Sequence, residues 1–243
     1  MEGISLYIFL LALGGSFIQR TTGFGFGIFI MTLLPFLMPS YGEATTLSGL
    51  LALTTSSIIA IRMRKEVTWK RIFPILVTFI LISALSICFL ESIHDDFLRQ
   101  ILGIVLVLTG LYFAFFNKRI KIGTTLPYQV GTGIISGLMG GFFGMQGPPA
   151  VLYFISSEES KEQYLAMTQM YFCIGNVMMS VVRGANGLMT ADVLKAYPSG
   201  LMGLIVGLAL GSLIFKHIPG KVFPYIVYSY IVISGIVIFF TAL

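Results

Sequence analysis

Gln19-Arg20-Thr21-Thr22-Gly23-Phe24-Gly25-Phe26-Gly27 and Gly140-Gly141-Phe142-Phe143-Gly144-Met145-Gln146-Gly147-Pro148-Pro149 decide how this chain is read. Each lies in the middle of a long apolar stretch. The first stretch is residues 3–42, where Arg20 is the one formal charge, and the second is residues 122–157, which carry none. About 20 apolar residues cross a ~30 Å hydrocarbon core as a helix. As continuous helix the second stretch would reach roughly 54 Å, short of the ~60 Å and more that two full crossings and a turn require. A hairpin of short helices, entering and leaving by one face, fits that length. Glycine and proline free backbone groups from the helix ladder, and hydrocarbon offers them no partner. Such breaks persist only inside protein or beside a water-filled cavity.

The rest of the chain agrees with a membrane setting. Apolar residues make up 56% of the 243, charged residues 10%, and the mean hydropathy is +0.94. A soluble domain carries about 25% charged residues, so this chain could not coat a water-facing surface. Residues 44–61, 72–90, 163–182, 197–215 and 222–243 are free of formal charge, and 100–116 form a slightly shorter run. The expected fold is an all-α polytopic membrane protein without a soluble catalytic domain.

The order of elements occurs twice, once in 1–120 and again in 121–243: a Gly-broken stretch, then three spans. Setting Gly27 on Gly147 places Leu47-Ser48 on Met167-Thr168. Basic residues crowd two loops, Arg62, Arg64, Lys65, Lys70 and Arg71 in one and Lys118, Arg119 and Lys121 in the other. Those loops therefore face the cytoplasm, leaving Arg99, Arg183 and Lys195 outside. If each broken stretch returns to its own side, the two repeats are inverted and both termini lie outside. A single crossing per stretch would make them parallel, and length favours the inverted arrangement.

Discontinuous segments at matching places in two halves point to a transport site, because half-helix N-termini turn positive dipole ends inward. Gly27 and Gly147 each open the second limb of a break, so both limbs could present N–H groups to one central anion. Around them stand Gly23, Gly25 and Gly144, whose alternative role is close helix packing. Arg20 has no acidic neighbour in its stretch, so it is either a ligand for an oxyanion or the snorkelling end of a first helix. Gln19, Thr21, Thr22 and Gln146 are neutral hydrogen-bonding groups at the breaks. On the following spans Thr45, Thr46 and Ser48 correspond to Thr168, Gln169 and Asn176. Gln169 and Asn176 are seven apart and share a helix face.

No enzyme is read from the remaining residues. Ser/His/Asp sets, HExxH, P-loops and CxxC do not occur, and no metal or other cofactor is implied. Cys88 and Cys173 sit in apolar segments as small hydrophobes. His94 and His217 fall in loops, and Glu158, Glu159 and Glu162 read as a solvated face. Tyr7, Tyr41, Tyr112, Phe115, Tyr197 and Tyr225 fit an interfacial aromatic belt. Glu2 occupies the place of a positive n-region, so the first segment is expected to stay rather than be cleaved. The net charge of +5 is explained by basic loops on one face and not by nucleic acid.

With its two Gly-rich segments, Thr22-Gly23-Phe24-Gly25-Phe26-Gly27 and Gly137-Leu138-Met139-Gly140-Gly141-Phe142-Phe143-Gly144-Met145-Gln146-Gly147-Pro148, opening two halves, the chain resembles the sulfite exporter TauE/SafE family over essentially its whole length. The resemblance implies a permease for sulfite or organosulfonates. Phe142-Phe143 and Met145-Gln146 depart from the small residues common there, which bears on cavity size. The expectation is therefore a multi-pass permease of a bacterial inner membrane, in the bilayer alone or as a homo-oligomer. It would export a small sulfur-containing oxyanion held near the midplane between the breaks. The competing expectation is a non-transporting scaffold or assembly partner of a redox or secretion complex.

Overall fold

The computed structural model describes residues 2–115, 123–158, 160–214 and 223–243. Among these the chain is helical, with no strand. The elements are α1 (Glu2–Thr22), α2 (Phe26–Ile30), α3 (Leu34–Leu37), α4 (Tyr41–Arg62), α5 (Trp69–Leu90), α6 (Asp95–Phe115), α7 (Leu126–Phe143), α8 (Gly147–Ser157), α9 (Lys161–Ala185), α10 (Ala191–Ile214) and α11 (Phe223–Thr241). Six helices of the described residues (α1, α4, α5, α6, α9 and α10) are long and apolar enough to cross a membrane. They extend past the uncharged windows because charged residues are tolerated in first and last turns. Glu43 forms a capping box with Ser40 at the start of α4, and Asp95 and Asp96 stand in the first turn of α6, where a carboxylate complements the helix dipole.

Both Gly-broken stretches are asymmetric rather than hairpins of short helices. The first limbs, α1 and α7, have 21 and 18 residues, about 31 and 27 Å of helix. The return limbs are short: α2 and α3 have 5 and 4 residues, and α8 has 11. Both returns nonetheless double back. Ile4, Ser5 and Ile8 at the start of α1 share a surface pocket with Leu37, Met38 and Pro39. Gln129 near the start of α7 donates through Nε2 to the Tyr153 hydroxyl of α8 at 3.0 Å.

Glycine sets the helix pairing. Gly203, Gly207 and Gly211 of α10 lie against Phe9, Leu13 and Phe17 of α1, with no room for a methyl group at any of the three. Gly133, Gly137 and Gly141 of α7 lie in the same way against Ile75, Phe79 and Ser83 of α5. Small residues four apart let backbones approach, the usual device for helix association in lipid. Contacts that advance together mean that α1 runs parallel to α10, and α7 parallel to α5. The pairs α6·α11 and α4·α9 run antiparallel: Gly103 meets Gly235 while Gly110 meets Tyr228, and Gly49 meets Arg183 while Ser57 meets Cys173.

Several surface expectations change. Arg183 is no loop residue but is wholly buried in the last turns of α9. Tyr41 is likewise buried rather than interfacial, whereas Tyr7 and Phe115 are exposed. The Glu158 side chain is covered and paired with Arg71 at 3.2 Å. Glu159, His217, Lys118, Arg119 and Lys121 lie outside the described residues.

Candidate functional site

The two breaks meet. A methyl group placed on Gly27 would sit 2.8 Å from the Gly144 carbonyl oxygen and 3.6 Å from the Met145 Cα. Backbone can come so close only because neither strand of contact carries a side chain there. Gly25 (φ 100°) turns the chain from α1 into α2, and Gly144 (φ 65°) ends α7. Both lie in the left-handed region, where a Cβ is strained.

The carbonyls freed by the breaks are recovered by side chains from other helices. Gln169 of α9 donates through Nε2 to the Gly23 carbonyl at 3.0 Å. Tyr171 donates its hydroxyl to Ser136 Oγ at 2.8 Å, and Ser136 in turn donates to the Gln146 carbonyl. Arg183 donates through Nη2 to the carbonyls of Gly140 and Gly141, at 2.9 and 3.0 Å, so a cation closes the negative end of α7. Discontinuity inside lipid requires such substitution for the lost ladder bonds.

Between the breaks lies a small cavity of about 40 Å³, lined by Gln19, Gly25, Gly27, Gly144, Gln146, Gly147 and Asn176, together with Phe26, Ile28, Ala52, Met145 and Phe172. Seven of the twelve residues singled out in the sequence thus come together. Gln19 donates through Nε2 to Thr55 Oγ1 at 3.0 Å. Gln146 donates through Nε2 to the Phe172 carbonyl at 3.3 Å while its own Oε1 has no partner. Asn176 is 3% exposed and its amide makes no hydrogen bond among the described residues. None of the described residues that line this space carries a charge.

The other five stand elsewhere. Gly23 and Gln169 pair beside the cavity without lining it. Thr21 bonds back to the Phe17 and Ile18 carbonyls of its own helix, and the side chain of Thr22 lies outside what is described. Arg20 is exposed and donates through Nε to Ser212 Oγ of α10 at 2.9 Å. The expected pair of N–H-bearing helix starts is also weaker than its spacing suggests. Pro148 and Pro149 remove two amides from the first turn of α8, and α2 is only 5 residues long. Side-chain amides, not helix ends, are the main polar groups facing the cavity. Phe26, Ala52 and Phe172 were not separable in the sequence from ordinary core residues, since apolar residues at helical spacing look alike.

Comparison with known proteins places this architecture. Residues 7–238 match the family described as Sulfite exporter TauE/SafE. A protein of Cupriavidus necator described as a probable sulfite/organosulfonate exporter TauE is 20% identical over 205 residues, covering 81% of this chain and 78% of that one. No solved structure matches the chain.

Proposed function

We propose that this chain, which belongs to the sulfite exporter TauE/SafE family, exports a small sulfur oxyanion, sulfite or an organosulfonate, through the cavity where its two breaks touch. The observation that carries the reading is Asn176: a buried amide lining a cavity between two helix breaks, with no hydrogen-bond partner among the described residues. A buried amide left without a hydrogen bond costs about 1–3 kcal/mol. Water or a ligand removes that cost, and an uncharged donor set can bind an anion without trapping it. Gln146 and Gln19 also line the cavity, each with one amide hydrogen already given, to the Phe172 carbonyl and to Thr55 Oγ1, and a second N–H left for a ligand.

The cavity has room for about one water, whose share of liquid is ≈ 30 Å³, so a sulfur oxyanion enters only when the breaks part. The helix pairing supports a rocking of two repeats, 1–120 and 121–243. In that division α1 corresponds to α7, α4 to α9, α5 to α10 and α6 to α11, and each first helix packs on the second of the other half's three spans. Because α4 and α9 are antiparallel neighbours, an axis exchanging them is perpendicular to both and lies in the membrane plane. That is the relation of inverted repeats, whose substrates bind at the repeat interface near the midplane. The basic loop after α4 then faces the cytoplasm, and both termini face out.

Sulfite efflux from proteoliposomes tests the reading. The wild-type chain should release sulfite, and Asn176→Leu should release it at least tenfold more slowly while remaining folded and inserted. Wild-type efflux from Asn176→Leu would remove the cavity from the pathway.

A further inference from the structure

Arg183 holds a second feature that the cavity does not use. Its Nη2 is occupied by the Gly140 and Gly141 carbonyls, but Nε and Nη1 are buried and have no partner among the described residues. Among the described residues no carboxylate lies within ion-pair distance of it. Glu43, the one acid among the described buried residues, is committed elsewhere, accepting from the Ser40 N–H at 3.1 Å and from the Thr190 hydroxyl at 2.6 Å. A guanidinium with two unsatisfied nitrogens and no counter-charge inside a membrane protein is costly and points to function.

The facing surface of α4 is equally unfinished. Gly49 makes room for the guanidinium, since a methyl group there would lie 3.1 Å from Nη1. Next to it the Ser48 hydroxyl is buried without a partner, and one heptad earlier, on the same face, so is the Tyr41 hydroxyl. Tyr41 lies within electrostatic reach of Arg183 and also of Asp95 and Arg99, and its backbone N–H donates to Asp95 Oδ2 at 2.8 Å. Two guanidinium nitrogens, which can only donate, and two hydroxyls, which can donate or accept, are thus left without partners among the described residues. Oxyanions supply acceptors on every side, and the guanidinium fork matches them in pairs.

We infer that Arg183, Tyr41 and Ser48 form a second oxyanion-binding site, one step along the α4–α9 seam from the cavity between the breaks. The step is short. Ala52 lines the cavity and Gly49 touches Arg183, and three residues of helix span about 4.5 Å. Beyond Tyr41 a wider vestibule of about 360 Å³ opens, lined by Ser40, Gly42 and Leu188 with Glu91 and Asp95. The sulfur-oxyanion chemistry of this site rests on the exporter reading given above; its donor geometry does not.

Arg183 also closes α7, so replacing it perturbs folding, and the decisive variants are Tyr41→Phe and Ser48→Ala. Neither removes an existing hydrogen bond, so both should keep wild-type thermal stability without anion. Each should raise the sulfite Kd about tenfold, the usual weight of a hydrogen bond to a charged group. Crystals soaked in selenite, the selenium analogue of sulfite, should show anomalous density within hydrogen-bonding distance of Arg183. Wild-type Kd in both variants, or selenium only between the breaks, overturns the second site. If wild-type liposomes release sulfite but selenium is absent beside Arg183, this inference fails and the exporter reading stands. If they release none, the exporter reading fails, and selenium at Arg183 still decides the site.

Discussion

Gly27→Ala should disturb transport and Gly147→Ala should not, although both place one methyl group at the same cavity. At Gly27 the new Cβ would lie 2.8 Å from the Gly144 carbonyl oxygen, when a comfortable carbon–oxygen contact is about 3.3 Å or more. The obstacle is backbone, which cannot rotate away as a side chain can, so the breaks must separate by about half an ångström. Overpacking of this kind costs about 1–3 kcal/mol. If the strain is relieved when the breaks part, the same energy shifts the closed-to-open ratio by about 5- to 150-fold. At Gly147 the nearest atom would be the Phe172 ring at 3.6 Å, an ordinary contact. Sulfite efflux from proteoliposomes, read beside thermal unfolding in detergent, should therefore change at least fivefold for Gly27→Ala and less than twofold for Gly147→Ala. Gly147→Leu, which fills the cavity, should abolish efflux. Equal behaviour of the two alanine variants would refute the claim that contact between the breaks governs transport.

Arg20→Gln should leave sulfite efflux within about threefold of wild type, because the lost interaction is an exposed hydrogen bond to Ser212 of small worth; a loss above tenfold would return Arg20 to the site. Gly144→Ala should destabilise the protein by about 1–2 kcal/mol from its left-handed backbone alone, measurable by thermal unfolding, whereas relaxed stability would deny that α7 must end there. Cysteines introduced at positions 3 and 93 should react with an impermeant thiol reagent from outside, and one at 66 should not. External reaction at 66 would invert the topology.

The spans and the breaks were legible because both are matters of composition: uncharged runs longer than a bilayer and glycines where no helix can run through. Which side chains enter the cavity was only partly legible. Gln19, Gln146 and Asn176 could be named since amides are scarce in such segments. Arg183 was missed although it follows Gln169 and Asn176 at successive steps of seven, because a charge near the end of a hydrophobic run reads as a loop residue. Its burial depends on Gly49 and on the carbonyl ends of α7, which lie on other helices. The glycine ladders at 133, 137, 141 and 203, 207, 211 were visible as spacing, but their partners were not. Arg20 was left open between ligand and snorkelling helix end, because the direction of a lone charge in an apolar stretch is set by the packing of α1 on α10, which the sequence does not show.

The placement of acids bears on what drives transport. Among the described residues, carboxylates stand at helix starts or in loops: Glu43 in its capping box, Asp95 and Asp96 opening α6, Glu162 opening α9 and Asp192 opening α10. None lines the cavity between the breaks. A proton-coupled carrier keeps an ionisable relay within the membrane, and the amides of Gln19, Gln146 and Asn176 cannot serve as one. The membrane potential can act directly, since it contributes ~2.3 kcal/mol per elementary charge per 100 mV. With the inside negative this favours the exit of an anion, and doubly charged sulfite gains roughly twice as much. Efflux from proteoliposomes clamped with potassium and valinomycin should therefore rise with an inside-negative potential and fall when its sign is reversed. An imposed pH gradient should act only through the share of sulfite present as bisulfite, so methanesulfonate, ionised throughout, should ignore it. Efflux of methanesulfonate that follows the pH gradient and disregards the potential would refute the argument and place a proton relay in this protein.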